Sequence, residues 1–393
     1  MKYEFDKYID RRNTGSCKWE ACPKSLLDEN CIPMTVADME FETAPQIKSA
    51  LMRAAEHGIC GYTEVDDTYI IALSDFMKRR HGLTFERKNL LCTTGIVPAF
   101  GIIIRALTNE GDGIIVQPPV YTPFFNAIKG NGRRVIENPL ILNDDRYEMD
   151  FAGLEKCCNE GAKMLMLCSP HNPVGRVWTR DELMQVGEIC KRHNVIILCD
   201  EIHGDIVYPG SKHTSLATLP GMKDSVITCT AMSKTFNLAG LMHSNVFVFN
   251  GEILEKLSEQ VKKEGSDCIP YFARVAAISA FSECDDWIDE LLIYLENNMK
   301  LCHDFIKNEL PMLKCTKAEG TYLLWLDCRE LGMSDSELSA FFTEKAKIFA
   351  NPGVMFGHGG EGFMRLNIAL PKEKLFQALL RLKHAIKEKE IEK

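Results

Sequence analysis

Several stretches of this sequence place a chemically capable side chain just past an apolar run. The most demanding is "TAMSKTFNLAG" (230–240), where Lys234 follows "SVITCTAM". Lysine is strongly hydrated and rarely buried without a partner, so an ammonium group at the end of a core strand asks for a reason. A solvated loop is one reason and covalent catalysis is another. Asp200 follows "NVIILC" (194–199), and a strand-end carboxylate must be paired or functional. Asn172 stands between Pro170 and Pro173, in a rigid turn that either aims an amide or is only a turn. Tyr121, in "VYTPFF", can stack on a flat ligand or simply pack. Gly95 precedes "IVPAFGIIIRAL", a helical pattern whose free N-terminal N–H groups suit a phosphate, although glycine turns before helices are common.

The elements that must position these groups are short continuous apolar runs: "NLLCTT" (89–94), "GIIVQPP" (113–119), "AKMLMLCSP" (162–170), "NVIILCDE" (194–201), "SVITCTA" (225–231) and "NVFVF" (245–249). Such runs read as strands buried on both faces. Helix-length segments lie between them. One, 180–193, opens with Thr179 and Glu182 in a capping-box spacing. The alternation predicts an α/β fold with a largely parallel sheet between helices, over 46–284. Beyond about 285 the pattern changes. A long amphipathic helix covers 284–310, with Ile288, Leu291, Leu292, Leu295 and Met299 at helical spacing. "GTYLLWLD", a helix near 335–347, "FMRLNIAL" and a closing helix near 372–388 complete a smaller α+β domain.

Composition narrows the function. The chain has 393 residues, 46% hydrophobic and 26% charged, with a net charge of −9 and no basic stripe. Nucleic acid and acidic membranes are therefore not expected partners. The polar start lacks the apolar core of a signal peptide, and no run of about 18 apolar residues occurs, so a cytoplasmic protein is expected. The sixteen cysteines are scattered without a Cys-x-x-Cys pair, which favours buried thiols over a metal centre.

In open parallel sheets ligands bind beyond the C-terminal strand ends. A phosphate cradle, a stacking ring, an amide, a carboxylate and a lysine gathered there meet the needs of pyridoxal 5′-phosphate. Lysine bonds the aldehyde, and the acid keeps the pyridine nitrogen protonated so that the ring withdraws electrons.

The motifs "PMTVADMEF" (33–41), "GYT" (61–63), "SPHNPVGRVWTRDEL" (169–183), "DEIHGD" (200–205), "SKTFNLAG" (233–240) and "NPGVMFGHGGEGFMRLNIALP" (351–371) carry a resemblance over nearly the whole chain. The sequence resembles fold-type I pyridoxal-phosphate enzymes of the aminotransferase superfamily, and more narrowly the MalY/PatB-type C–S lyases. The resemblance implies a large domain with a mostly parallel seven-stranded sheet, and a smaller domain formed by 1–45 with 285–393. It implies Lys234, Asp200 and Tyr121 as catalytic residues. Asn172 would face the ring hydroxyl, and the phosphate would sit on Gly95, Ile96 and Val97 with Ser233 nearby. Arg365 would pair bidentately with the substrate carboxylate, with backbone near Ala37 covering it and Tyr62 and Asn172 beside it. Tyr62 would reach the phosphate of a neighbouring subunit, which implies a homodimer with shared sites. Aspartate-aminotransferase-like relatives carry an arginine eight positions after the lysine, where this chain has Met242. His171 and His203 are read as packing and hydrogen-bonding residues around the site. The implied activity is β-elimination from cystathionine or a related cysteine thioether. An aminotransferase, or a pyridoxal-phosphate protein that acts by binding a partner, are the other readings.

Overall fold

The computed structural model describes residues 2–28 and 30–391. Seven strands form the main sheet: β1 Leu90–Thr93, β2 Gly113–Val116, β3 Arg134–Glu137, β4 Met164–Cys168, β5 Ile196–Asp200, β6 Val226–Thr230 and β7 Ser244–Val248, in the order β1-β7-β6-β5-β4-β2-β3. All neighbours are parallel except β7, which runs antiparallel to β1 and β6. Six of these strands are the predicted apolar runs; five are shorter than their runs, and β7 has the predicted length shifted by one residue. β3, "RVIE", was not predicted. It is an edge strand with exposed ends, so it lacks the continuous apolar character of its neighbours.

Helices cover the sheet. The helix α1, Ile96–Leu107, buries Ala99, Phe100, Ile102, Ile103 and Ile104. A second, α2 (Thr122–Gly130), begins directly after Tyr121. A third, α3, spans Arg180–Arg192 and has the predicted capping box: the Glu182 N–H donates to Thr179 Oγ1 at 3.2 Å, and the Thr179 N–H donates to Glu182 Oε2 at 2.7 Å.

The long helix α4, Asp285–Glu309, matches its prediction. It lies beside an antiparallel sheet of β8 (Lys314–Cys315), β9 (Leu323–Asp327), β10 (Asn351–Pro352) and β11 (Phe363–Asn367), in the order β8-β9-β11-β10. The helix predicted near 335–347 runs as α-helix only over Asp335–Ala340. It continues as a π turn over Phe341–Lys345, which buries both Phe341 and Phe342. The closing helix is Lys372–Ile391. Near the N-terminus, Ile32–Pro33 pairs in parallel with Ile348–Phe349. The cysteines other than Cys17, Cys60, Cys268 and Cys315 are buried, and all are free thiols.

Candidate active site

β4, β5 and β6 are parallel and in register, with Cys168 opposite Asp200 and Asp200 opposite Cys229. Their C-terminal ends therefore form one edge, and Asp200 stands at its centre, 1% exposed. Its Oδ1 accepts one backbone N–H, from Ile202 at 3.1 Å. Burial pushes this carboxyl up to about 7. The hydrogen bond and the Lys234 charge only partly oppose that rise.

From β6 the chain enters a single helical turn, Met232–Thr235, which carries Ser233 and Lys234. Lys234 Nζ donates to the Ala37 carbonyl at 2.6 Å. Burial lowers the ammonium to about 8, with Arg365 and Lys18 adding to the fall and Asp38 and Asp200 opposing it. Roughly one amine in ten is then neutral at pH 7. Burial thus supplies the lone pair that an ordinary surface lysine lacks.

Arg365 sits on β11, the strand between β9 and β10, and is 5% exposed. Its Nη1 donates to Asn172 Oδ1 at 3.0 Å and its Nη2 to Asn351 Oδ1 at 2.7 Å. Nε has no hydrogen-bond partner among the described residues, and the guanidinium lies 4.8 Å from the Phe356 ring centroid. Among the described residues no carboxylate pairs with it. Burial lowers it to about 10, against the pull of Tyr121 and Tyr322. An arginine buried beside two neutral amides carries a desolvation cost that an incoming carboxylate offsets.

Gly95 precedes α1 with φ of +119°, a conformation open to glycine and strained for other residues. The first turn of α1 thereby presents Ile96 and Val97 to a cavity of about 170 Å³. Ser233 and Lys234 line the same cavity, as do Tyr121, Asn172 and Asp200, with Ala37 on the opposite wall. Tyr121 is partly buried, its ring edge-on to Phe124 at 5.9 Å, and burial followed by the Asp200 charge pushes its hydroxyl up to about 12.

The structure therefore gathers every predicted site residue except two. Arg365 lies behind Asn172 and reaches the site through it. Tyr62 stands fully exposed in the loop between helices Pro45–His57 and Asp67–His81, outside this cavity.

The two histidines part company. His171 is buried against Trp178 and bonds the Pro119 carbonyl through Nε2 at 2.9 Å, as a packing residue would. Burial takes it down to about 4. His203 instead lines the cavity, with Nδ1 unpartnered, and burial followed by the Lys234 and Arg365 charges holds it neutral. Met242 also lines the cavity, where it sits beside Gly95.

Sequence reading missed Tyr322, whose hydroxyl donates to the Ala37 carbonyl at 2.8 Å, and Asn351 on Arg365. It also missed Asn237 and Asn367, whose side chains hold residues 36–41. Asn237 and Asn367 lie three and two positions past Lys234 and Arg365. That proximity to the site motifs was the only available signal.

The donor set fits pyridoxal 5′-phosphate on its own chemistry. It offers a buried carboxyl with a single backbone partner, an amine whose protonation burial has weakened, an aromatic ring and a helix N-terminus around one cavity.

Comparison with known proteins agrees. Residues 29–382 match the family model described as aminotransferase class I and II. The cystathionine beta-lyase PatB of Bacillus subtilis is 39% identical over 384 residues, covering 97% of this chain and 99% of the relative. The protein MalY of Escherichia coli is 30% identical over 388 residues, covering 98% and 99%. The crystal structure of cystalysin from Treponema denticola, which contains a pyridoxal 5′-phosphate cofactor, superposes with a TM-score of 0.95 at 37% identity, over 99% of this chain and 100% of that one.

Proposed function

Because the chain belongs to the aminotransferase class I and II family, we propose that it is a pyridoxal 5′-phosphate-dependent carbon–sulfur β-lyase. Its substrate is cystathionine or a related S-substituted cysteine, and its products are a thiol, pyruvate and ammonia. The bound cofactor supplies an electrophilic aldehyde and a ring that withdraws electrons from the substrate Cα. Lys234 would hold the aldehyde end, Asp200 the ring nitrogen and Asn172 the ring hydroxyl. Tyr121 would cover the ring, and the α1 N-terminus with Gly95, Ile96, Val97 and Ser233 would take the phosphate.

Arg365 binds and orients the α-carboxylate, with Ala37 and Asn172 on either side. Lys234, near 8, accepts the Cα proton in its neutral form. A thiolate at Cβ is a good leaving group, so loss of that proton is followed by C–S cleavage. The observation that carries this reading is the buried Arg365 guanidinium with amide partners and no acid, beside an amine held by a backbone carbonyl. Purified protein given cystathionine should release homocysteine and pyruvate with no 2-oxo acid supplied. Turnover that depends on a 2-oxo acid acceptor would instead make it an aminotransferase. Borohydride reduction and peptide mapping should find the cofactor on the Lys234 peptide.

The same reading takes a homodimer with shared sites as the active form. Complete exposure of Tyr62 and 68% exposure of Ile59 on one loop support it. Verified heterodimers of Lys234→Ala and Tyr62→Phe subunits should recover activity, and no recovery would remove the shared site. It also divides the chain into 46–284 and 1–45 with 285–393, supported by the seven-stranded sheet in the one part and the four-stranded sheet in the other. Limited proteolysis should cut first near those junctions. The protein is placed in the cytoplasm, which cell fractionation tests; no described helix is long and apolar enough to cross a membrane.

A further inference from the structure

Residues 36–41, "VADMEF", carry Ala37, which lines the cavity and receives Lys234 on its carbonyl. Side-chain amides hold this segment. Asn237 Nδ2 donates to the Met39 and Phe41 carbonyls at 2.9 and 3.0 Å, and Asn367 Nδ2 to those of Val36 and Asp38 at 2.8 and 2.6 Å. Two acids, Asp38 and Glu40, follow the Ala37 carbonyl that receives Lys234. They meet two cations. Lys18 has a side chain only 1% exposed, with Nζ 2.7 Å from the Asp38 carbonyl and 2.8 Å from both Asp38 Oδ1 and Glu40 Oε1. Arg11 reaches Asp38 Oδ2 and Glu40 Oε1, each at 2.9 Å. The Trp19 indole N–H donates to Glu40 Oε2 at 3.2 Å. The cluster is electrically balanced and largely buried.

This balance matters because an ammonium prefers a carboxylate to a carbonyl. Asp38 is the residue adjoining the Ala37 carbonyl. Without Lys18, Asp38 keeps Arg11 on Oδ2 but its Oδ1 is released, and that oxygen would compete for Lys234 and hold it protonated, without the lone pair that bonds an aldehyde or takes a proton. We propose that Lys18 is a positioning residue for Lys234: it sequesters the Asp38 carboxylate and pins the Asp38 carbonyl, so that the free amine rests on the neutral Ala37 carbonyl. This rests on the reading of Lys234 as the cofactor lysine.

The charges around Lys234 come from several elements. Asp38 faces it from the 36–41 segment with Lys18 behind, Asp200 from β5, and Arg365 from β11. Tyr322, which shares the Ala37 carbonyl, and His203 are neutral. Burial pushes Asp38 up, yet Lys18 and Arg11 outweigh it and hold the acid below its ordinary value.

The test reads cofactor loading, not turnover. Apoprotein is mixed with pyridoxal 5′-phosphate across a pH series, trapped with borohydride, and the label on Lys234 is quantified over time. Lys18→Met should move the pH midpoint of loading up by about one unit, which is about tenfold slower loading at neutral pH. Lys18→Arg should stay within about twofold, and Asp38→Asn added to Lys18→Met should restore the midpoint. Slower loading by the same factor at every pH, with no shift, overturns the proposal in favour of a purely structural lysine. If Lys18→Met does not fold, Asp38→Asn alone reads the same link: its midpoint should move down, and an unmoved midpoint overturns the proposal. Wild-type apoprotein that loads nothing on Lys234 overturns the functional reading itself, and this proposal with it.

Discussion

Asp200 and Asp205 lie five residues apart in "DEIHGD" and are both withdrawn from water, yet they answer burial in opposite ways. Asp200 has one backbone N–H and rises to about 7. Burial also pushes Asp205 up, but His81 Nε2 at 2.9 Å, Thr235 Oγ1 at 2.8 Å and Arg80 Nε at 3.4 Å outweigh it and take the acid down to about 2. His81 is raised in return, since the Asp205 charge outweighs its own burial. The supply of partners, not depth, decides whether a buried acid is scaffold or reagent. Asp205 is complete within the chain. Asp200, like Arg365, is incomplete until a ligand arrives. The two regions meet at adjacent residues: Lys234 turns into the cavity while Thr235 ties the same helical turn to Asp205.

The contrast can be broken most sharply at Asp200. Asp200→Asn should lower β-elimination by at least about a hundredfold, because the ring nitrogen loses its acid, while the apoprotein melts no lower at pH 8. A variant that keeps its activity would make Asp200 scaffold like Asp205.

The pH dependence of apoprotein stability comes next. A raised carboxyl costs nothing below the ordinary aspartate range. It destabilises progressively as pH climbs from about 4 through 7, by up to about 4 kcal/mol. Urea melts of wild-type and Asp200→Asn apoproteins should therefore diverge over that window, with the variant the more stable at the upper end. Parallel curves would show that Asp200 is already satisfied.

Asp205→Asn should cost about 2 kcal/mol at neutral pH, and that cost should vanish as pH falls from about 4 through 2. The sign is the reverse of Asp200 because the folded value is depressed. The smallest effect is expected from Thr235→Val, about 1 kcal/mol, with a modest rise in the Asp205 value readable by NMR titration. A variant with wild-type stability would mean that His81 and Arg80 alone complete Asp205.

What was legible in the sequence follows the same divide. Asp200, Lys234, Asn172 and Tyr121 each follow a run whose β character is local, and a parallel sheet brings such ends together, so the floor of the cavity could be read. The strand β3 could not, because an edge strand keeps polar ends. The wall opposite could not either. Lys18 finds its acids twenty and twenty-two residues away, Tyr322 meets Ala37 across 285 positions, and Asn237 meets Met39 across 198. No local pattern marks a hydrogen bond made over such distances. Tyr62 is legible only by resemblance, since nothing in its own chain touches the role proposed for it.

The wall at residues 36–41 has a consequence for how the protein is made. Those residues leave the ribosome well before Asn367, which bonds Val36 and Asp38 from 331 and 329 positions further along the chain. Ile32–Pro33 waits likewise for Ile348–Phe349. The sheet that carries Asp200 and Lys234 is fully synthesised while its cavity still lacks a lid on one side. Segments with such distant partners close late. The nascent chain thus holds its amine and its acid before the contacts from Asn367 that fix residues 36 and 38 can form.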